Sequence, residues 1–420
     1  MEAPVMQRIS YADNIIYQEN VHEVAFREGT IEENEDTYKI FGVRIYANNC
    51  LSIASSNRVN DFNKLFDIAL KNLKECRTRI NWFEGEYYTG KNKFGRESDL
   101  KYLKELVKNI ATTYISKGLK VEVIGICREI LKEINVLEQG STAIEHRILY
   151  ELYIYPYTLY MGRIASTGHF IVDSSINGLY DKASNIIDES LTNIVSQLNA
   201  RKLNPAYLGK WPVVLTGNAA PVFYHELIHL LQGDEPVKLR IGTMLYRELN
   251  IVEDPFYPGP LQRFFDDELY PAWRRRLVEK GVVVDYLHTR TTLTPGSKPG
   301  NARGLFTRSK PLHHQLIVGK GDWNFDEMLE ESKRCIIVRN IVEAHLSGDY
   351  IRIIPEEAWV YEKKRDSTTP VKIYEIAVPL SKLGEVIVGL GRTLHERASF
   401  EKNHLVYEVA PDTLIEARIS

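Results

Sequence analysis

Trp211-Pro212-Val213-Val214-Leu215-Thr216-Gly217-Asn218-Ala219-Ala220-Pro221-Val222-Phe223-Tyr224-His225-Glu226-Leu227-Ile228-His229-Leu230-Leu231-Gln232-Gly233 is the stretch on which the reading of the chain turns. Trp211 to Leu215 is an apolar run that reads as a buried strand. Gly217-Asn218 then breaks it, with Asn218 as a helix cap, Pro221 in the first turn and Gly233 as the expected stop. Val222, Phe223, Leu227, Ile228, Leu230 and Leu231 leave little polar surface beyond His225, Glu226 and His229, so the helix is expected to be buried.

Positions i and i+4 of a helix share a face, so His225 and His229 can turn ring nitrogens toward one ion. Glu226 is displaced around the helix, where it can reach a water on the metal rather than the metal itself. Unpaired buried polar groups cost on the order of 1–3 kcal/mol each, and one ion would satisfy all three side chains. The competing reading is a structural pair: with eleven histidines in the chain, H-E-x-x-H can arise by chance. Chance matches fall often on surface helices, and this helix is apolar.

Outward from the motif, the chain divides in two. In the first part, Tyr38 to Ala47 reads as a strand. Phe62 to Leu73 and Leu100 to Tyr114 show helical spacing, as does Ala183 to Leu198, and Leu119 to Cys127 is a further strand. Glu145 to Ile171 reads as antiparallel strands broken at Pro156 and Gly168. The polar segment Asn199 to Lys210 marks a domain boundary, giving an N-terminal domain over 1–200 and a C-terminal domain over 211–420. Beyond the motif, short strands dominate, among them Leu316 to Val318, Ile336 to Arg339 and Ala358 to Tyr361. The expected class is α+β: amphipathic helices on an antiparallel sheet, then a mainly β domain carrying the motif helix.

Lys plus Arg number 53 and Asp plus Glu 56, a net charge of −3. That balance argues against nucleic acid as a partner, because phosphate binding draws on clustered cations. Arg274-Arg275-Arg276, the densest cluster, reads as a solvated helix face. Cys50, Cys76, Cys127 and Cys335 lack C-x-x-C spacing and are expected to be small core residues in a reducing compartment. Met1 to Arg8 lacks a signal pattern and no apolar run approaches membrane-spanning length, so no membrane partner and a cytoplasmic location are expected.

The motif and its surroundings resemble the TldD/PmbA family, the modulators of DNA gyrase, and in particular its TldD-like metalloprotease branch. The likeness is carried by Tyr11-Ala12-Asp13, Gly42-Val43-Arg44-Ile45 and Ser52-Ile53-Ala54-Ser55. It continues through Pro212 to Leu215, His225-Glu226 with Gln232-Gly233-Asp234, and Phe265-Asp266-Asp267-Glu268. Gly281-Val282, Tyr286-Leu287, Gly300-Asn301-Ala302-Arg303, Ser347-Gly348-Asp349 and Glu357-Ala358-Trp359 complete it. The chain departs from the pattern twice. The branch usually has three residues between the glutamate and the second histidine, and here there are two. The family supplies a cysteine ligand from the C-terminal segment, whereas Gly391 to Tyr407 offers His404 and His395.

The resemblance implies a zinc-dependent peptidase of short or unfolded peptides, with one Zn²⁺ per active subunit. His225, His229 and His404 would be its ligands, with His395 or a carboxylate as substitutes for His404, and Glu226 would be the general base. Arg303 and His288 are candidates to stabilise an oxyanion; Asp266 and Asp267 are candidates to orient a ligand or to cap a helix. It further implies an active site inside a dimer, formed with a second copy or with a PmbA-like chain. A non-catalytic PmbA-like partner subunit is the alternative function, and a gyrase-interacting regulator a third that neither charge nor motif supports.

Overall fold

The structure, a computed structural model, describes residues 9–97, 99–137, 139–235, 239–365 and 367–420. The expected absence of a signal pattern in Met1 to Arg8 falls outside them. The fold is α+β, as the sequence predicts, and is organised on two large sheets.

The first sheet is mainly antiparallel. Its centre is Ile9–Arg27, paired on one side with Thr30–Ala47 and on the other with Lys120–Val136, which in turn pairs with Thr142–Tyr160. Three helices lie on it. Phe62–Leu73 is capped by Asp61 and buries Leu65, Ala69 and Leu73. Leu100–Ser116 is capped by Asp99, Ile176–Asn199 by Ser175, and both pack into one cluster with the Lys120–Val136 and Thr142–Tyr160 strands. Periodicity thus finds the helices. It misses the outer halves of the first hairpin, where Glu32, Glu33, Glu35 and Asp36 are exposed and no buried face imposes an apolar alternation.

The second sheet is mixed and contains twelve strands among the described residues. Its axis is His404–Ile419, flanked antiparallel by Gly209–Leu215, parallel by Gln315–Val318, and folded back on Ile387–Glu401 through a tight hairpin. The motif helix, Ala219–His229, packs in the core cluster formed on this sheet. The halves are locked together. Phe265 and Leu269 join Tyr11, Ile15 and Trp82 in one core, and the Arg290 guanidinium donates to the carbonyls of Phe83 at 3.0 Å and Glu86 at 2.6 Å.

Three expectations are corrected. Pro156 does not break a strand: it lies within Thr142–Tyr160 opposite Val121, and the turn comes after Tyr160. Arg275 opens the strand Arg275–Glu279 rather than lying on a helix face. It is buried, donating to Asp285 Oδ2 at 2.6 Å and lying over the Trp273 ring. Cys50 and Cys76 are not separate core thiols but form a disulfide that ties the end of the first helix to its sheet, whereas Cys127 and Cys335 are free. Their separation of 26 residues carries no motif, so only the folded chain brings them together.

Candidate metal centre

The strand Gly209–Leu215 leads into the helix Ala219–His229, and every helical residue except His229 is buried. The ends differ in detail from expectation. Asn218 adopts helical angles and makes no side-chain cap; its amide donates to Asn340 Oδ1 at 3.2 Å. The helix closes at His229, with the Leu230 N–H donating to Leu227, so Gly233 lies beyond it and donates its N–H to the Leu287 carbonyl at 2.9 Å.

The helix presents His225 and His229 with ring centroids 5.1 Å apart. One candidate group is His225, Glu226 and His229, whose ligand atoms lie within 4.8 Å of one another. A further carboxylate faces both rings: Glu401 Oε2 is 3.5 Å from His225 Nε2 and 3.8 Å from His229 Nε2. Donors placed tetrahedrally at ~2.0–2.1 Å around zinc are about 3.3–3.4 Å apart, so these separations are near those one ion requires. Two imidazoles and a carboxylate are also a donor set of the right chemistry for it.

The other nitrogen of His225 is held in place. Its Nδ1 donates to Glu408 Oε1 at 2.7 Å, which fixes the ring and leaves Nε2 facing Glu401. Glu408 also accepts from His313 Nε2 at 3.0 Å and from Arg397 Nη1 at 3.2 Å. His225, His313 and Glu408 form a second group within 4.8 Å, but the contacts to Glu408 are those of a carboxylate hydrogen-bonded on both sides.

Glu401 is delivered by the turn of its hairpin. Lys402 and Asn403 both have positive φ, 48° and 67°, which a two-residue loop of this hand demands. Lysine disfavours that conformation, and the Lys402 ammonium is anchored 3.2 Å from Glu235 Oε1 and 3.6 Å from Glu401 Oε1.

The electrostatics are those of a cation-seeking site. Burial opposes charge on His225, but the Glu408 carboxylate and hydrogen bonds to Glu401 and Glu408 raise it to about 9. Burial and the charge of His225 depress His229 to about 4. Glu401 is drawn down to about 2 against its burial by its hydrogen bond to His225 and the charges of both rings. Glu226 is pushed up to about 7, chiefly by burial.

The remaining sequence candidates lie elsewhere. His404 pairs in register with Glu401 across the hairpin, yet it belongs to neither ligand group; it lines a cavity together with Asp267 and Arg303. His395 contacts Asp412 Oδ1 at 2.7 Å and Thr216 Oγ1 at 3.3 Å. Asp266 accepts the backbone N–H groups of Glu268, Tyr270 and Ala302, organising a turn rather than capping a helix. Asp267 accepts from Lys132 Nζ at 3.1 Å and from the Gly304 N–H at 2.8 Å. His288 is buried beside Gly233, its Nδ1 3.4 Å from Thr292 Oγ1. Sequence reasoning missed Glu401, Glu408, His313 and Arg397 as neighbours of the motif. The available signals were the paired His313-His314 and a glutamate set in the apolar run Leu405 to Ala410.

A buried H-E-x-x-H helix on a mixed sheet, with a third donor from a distant hairpin, has the form of a metallopeptidase-type domain. Comparison with known proteins agrees: residues 208–416 match the family model described as the PmbA/TldA metallopeptidase C-terminal domain. Through this domain the chain belongs to the PmbA/TldD family. A metalloprotease of Methanocaldococcus jannaschii is 29% identical over 157 residues, and one of Archaeoglobus fulgidus is 30% identical over 168. These matches span only 34% and 38% of this chain, and about a third of the length of the relatives, 34% and 38%. Among solved structures, TldE of Thermococcus kodakarensis superposes with a TM-score of 0.79 at 15% identity, covering 98% of this chain and 96% of that one. A Thermotoga maritima protein described as a candidate modulator of a DNA gyrase gives 0.78 at 17%, over 97% and 95%. At these identities the likeness is one of fold. No helix among the described residues is long and apolar enough to cross a membrane.

Proposed function

We propose that the chain is a zinc-dependent peptidase acting on short or unfolded peptides, with one Zn²⁺ held by His225, His229 and Glu401. The supporting observation is the convergence of two ring nitrogens and Glu401 Oε2, at 3.5 and 3.8 Å, beside the buried carboxyl of Glu226. Glu401 takes the place of the carboxylate substitute for His404. A zinc ion so held supplies Lewis-acid polarisation of the scissile carbonyl and of the attacking water. Glu226 accepts the proton of that water and passes it to the leaving amine nitrogen. Glu408 keeps the His225 ring oriented, and Arg397 and His313 hold Glu408. The proposal includes a dimer, with a second copy or a PmbA-like chain, and a cytoplasmic location. The Cys50–Cys76 bridge is at odds with most cytosolic settings but not with those of hyperthermophiles.

The test is digestion of an unstructured peptide mixture by the purified chain, with and without a chelator. Cleavage abolished by chelation and restored by zinc supports the reading. A chain that binds no zinc and cleaves nothing would be a non-catalytic PmbA-like subunit.

A further inference from the structure

The hairpin that delivers Glu401 also forms part of the wall of a cavity of about 420 Å³ between the two halves, within the ~300–1,000 Å³ typical of small-ligand sites. Charges crowd its wall, and most of them are paired: Arg128 lies 2.7 Å from Glu19 and 2.6 Å from Glu151. Lys132 pairs with Asp267 at 3.1 Å, Arg147 with Glu145 at 3.1 Å, and Arg263 with Glu253, just behind the wall, at 2.8 Å. Arg303 is the fifth cation and, among the described residues, makes no ion pair; the nearby Asp267 is hydrogen-bonded to Lys132 and to the Gly304 N–H instead. Its Nη2 donates to the Leu405 carbonyl at 3.1 Å, while Nη1 is buried without a partner among the described residues. Arg263, Arg303, Lys132 and Arg147 all press on the buried His314, whose ring is held well below its ordinary range by burial and by them. An unsatisfied donor on a buried guanidinium that lines a cavity is satisfied by an anion placed there.

The same wall carries a complementary acceptor, Glu145 Oε2, likewise buried and unpartnered, and apolar surface from Leu149, Phe265 and Phe400. A carboxylate, an N–H and an apolar side chain on one carbon are the features of the last residue of a peptide. Arg303 touches the strand at Leu405, next to His404, the register partner of Glu401. That puts the guanidinium roughly 10 Å from the Glu401 carboxylate, two or three extended residues.

We infer that this cavity holds the carboxyl terminus of the substrate, with its carboxylate on Arg303, its N–H toward Glu145 and an apolar last side chain beside Phe265, so that cleavage falls within a few residues of that end. The inference rests on the peptidase reading above. It differs from an oxyanion role for Arg303, which would demand no free carboxyl group.

Calorimetry on the full chain without added zinc separates the two. N-acetyl-phenylalanine should bind, its amide about ten-fold or more weakly, and Arg303→Gln should erase the difference. Should that variant fail to fold, the wild-type acid-to-amide ratio still decides. Equal affinity for acid and amide, or no binding of either, would overturn the inference whatever the enzyme cleaves. Tighter binding of free phenylalanine than of its acetyl form would overturn it in favour of an amino-acid site. With zinc present, a peptide with a free carboxyl terminus should be cut with higher kcat/KM than its amidated twin. Acid-selective binding with no zinc-dependent cleavage of any peptide would retain the carboxylate site, overturn its reading as a substrate anchor, and refute the peptidase reading.

Discussion

Two histidine-bearing neighbourhoods meet at one hairpin, and they differ in character. Around His225 the imidazoles face Glu401 and Glu408, and His225 is raised to about 9. Around His404 the charged neighbours are Arg303 and Lys132 as well as Asp267 and Glu401, and burial followed by the Arg303 charge lowers its ring to about 4. The same side chain thus meets a carboxylate at each ring nitrogen in one place and a balanced mixture of cations and anions in the other. The first is where the proposed metal would sit and the second borders the proposed carboxylate site, and residue type alone does not distinguish them.

The largest effect that would break this contrast is on the metal. Glu401→Ala should take zinc content from stoichiometric to undetectable by elemental analysis, whereas His404→Ala should keep it. The opposite pattern would exchange the roles of the two positions. Next, Glu226→Gln should retain zinc and lower kcat by about 10²–10⁴-fold, the usual contribution of a general base. Unchanged turnover in a zinc-loaded variant would remove Glu226 from the chemistry. Smaller still, Glu408→Gln should weaken zinc affinity by about 10–100-fold through loss of ring orientation, measured by chelator competition.

His169 sharpens the comparison because charge is absent from its surroundings. It contacts Ser190 Oγ at 2.8 Å, and burial alone depresses it to about 4. In the unfolded chain a histidine titrates near ~6.5, so above that pH both states are neutral and nothing is lost. As pH falls from ~6.5 toward 4 only the unfolded state takes up the proton, and stability declines. Urea unfolding should show a loss of about 2–3 kcal/mol between pH 7 and pH 4.5 that is absent from His169→Gln. Equal losses in both chains would show that His169 is not buried as a neutral ring.

Much of this architecture was legible beforehand. The strand-break-helix pattern from Trp211 to His229 and the three amphipathic helices follow from local periodicity, which needs no knowledge of distant partners. Glu401 and Glu408 were not legible for the converse reason. Each looks like an ordinary charge on a strand, and its meaning comes from a helix far away: His225 and Glu408 are 183 residues apart. His404 illustrates the limit most sharply. It was the expected third ligand, and it lies directly across a two-residue turn from the carboxylate that faces the rings. Arg275 and the Cys50–Cys76 bridge were hidden in the same way, since burial and pairing there depend on segments that converge only in the folded chain.

The most direct measurement is anomalous diffraction at the zinc edge from crystals of the full chain grown with zinc. One peak about 2.0–2.1 Å from His225 Nε2, His229 Nε2 and a Glu401 oxygen is the expected result. A peak bound to His404 instead, or no peak between the rings of His225 and His229, would contradict it.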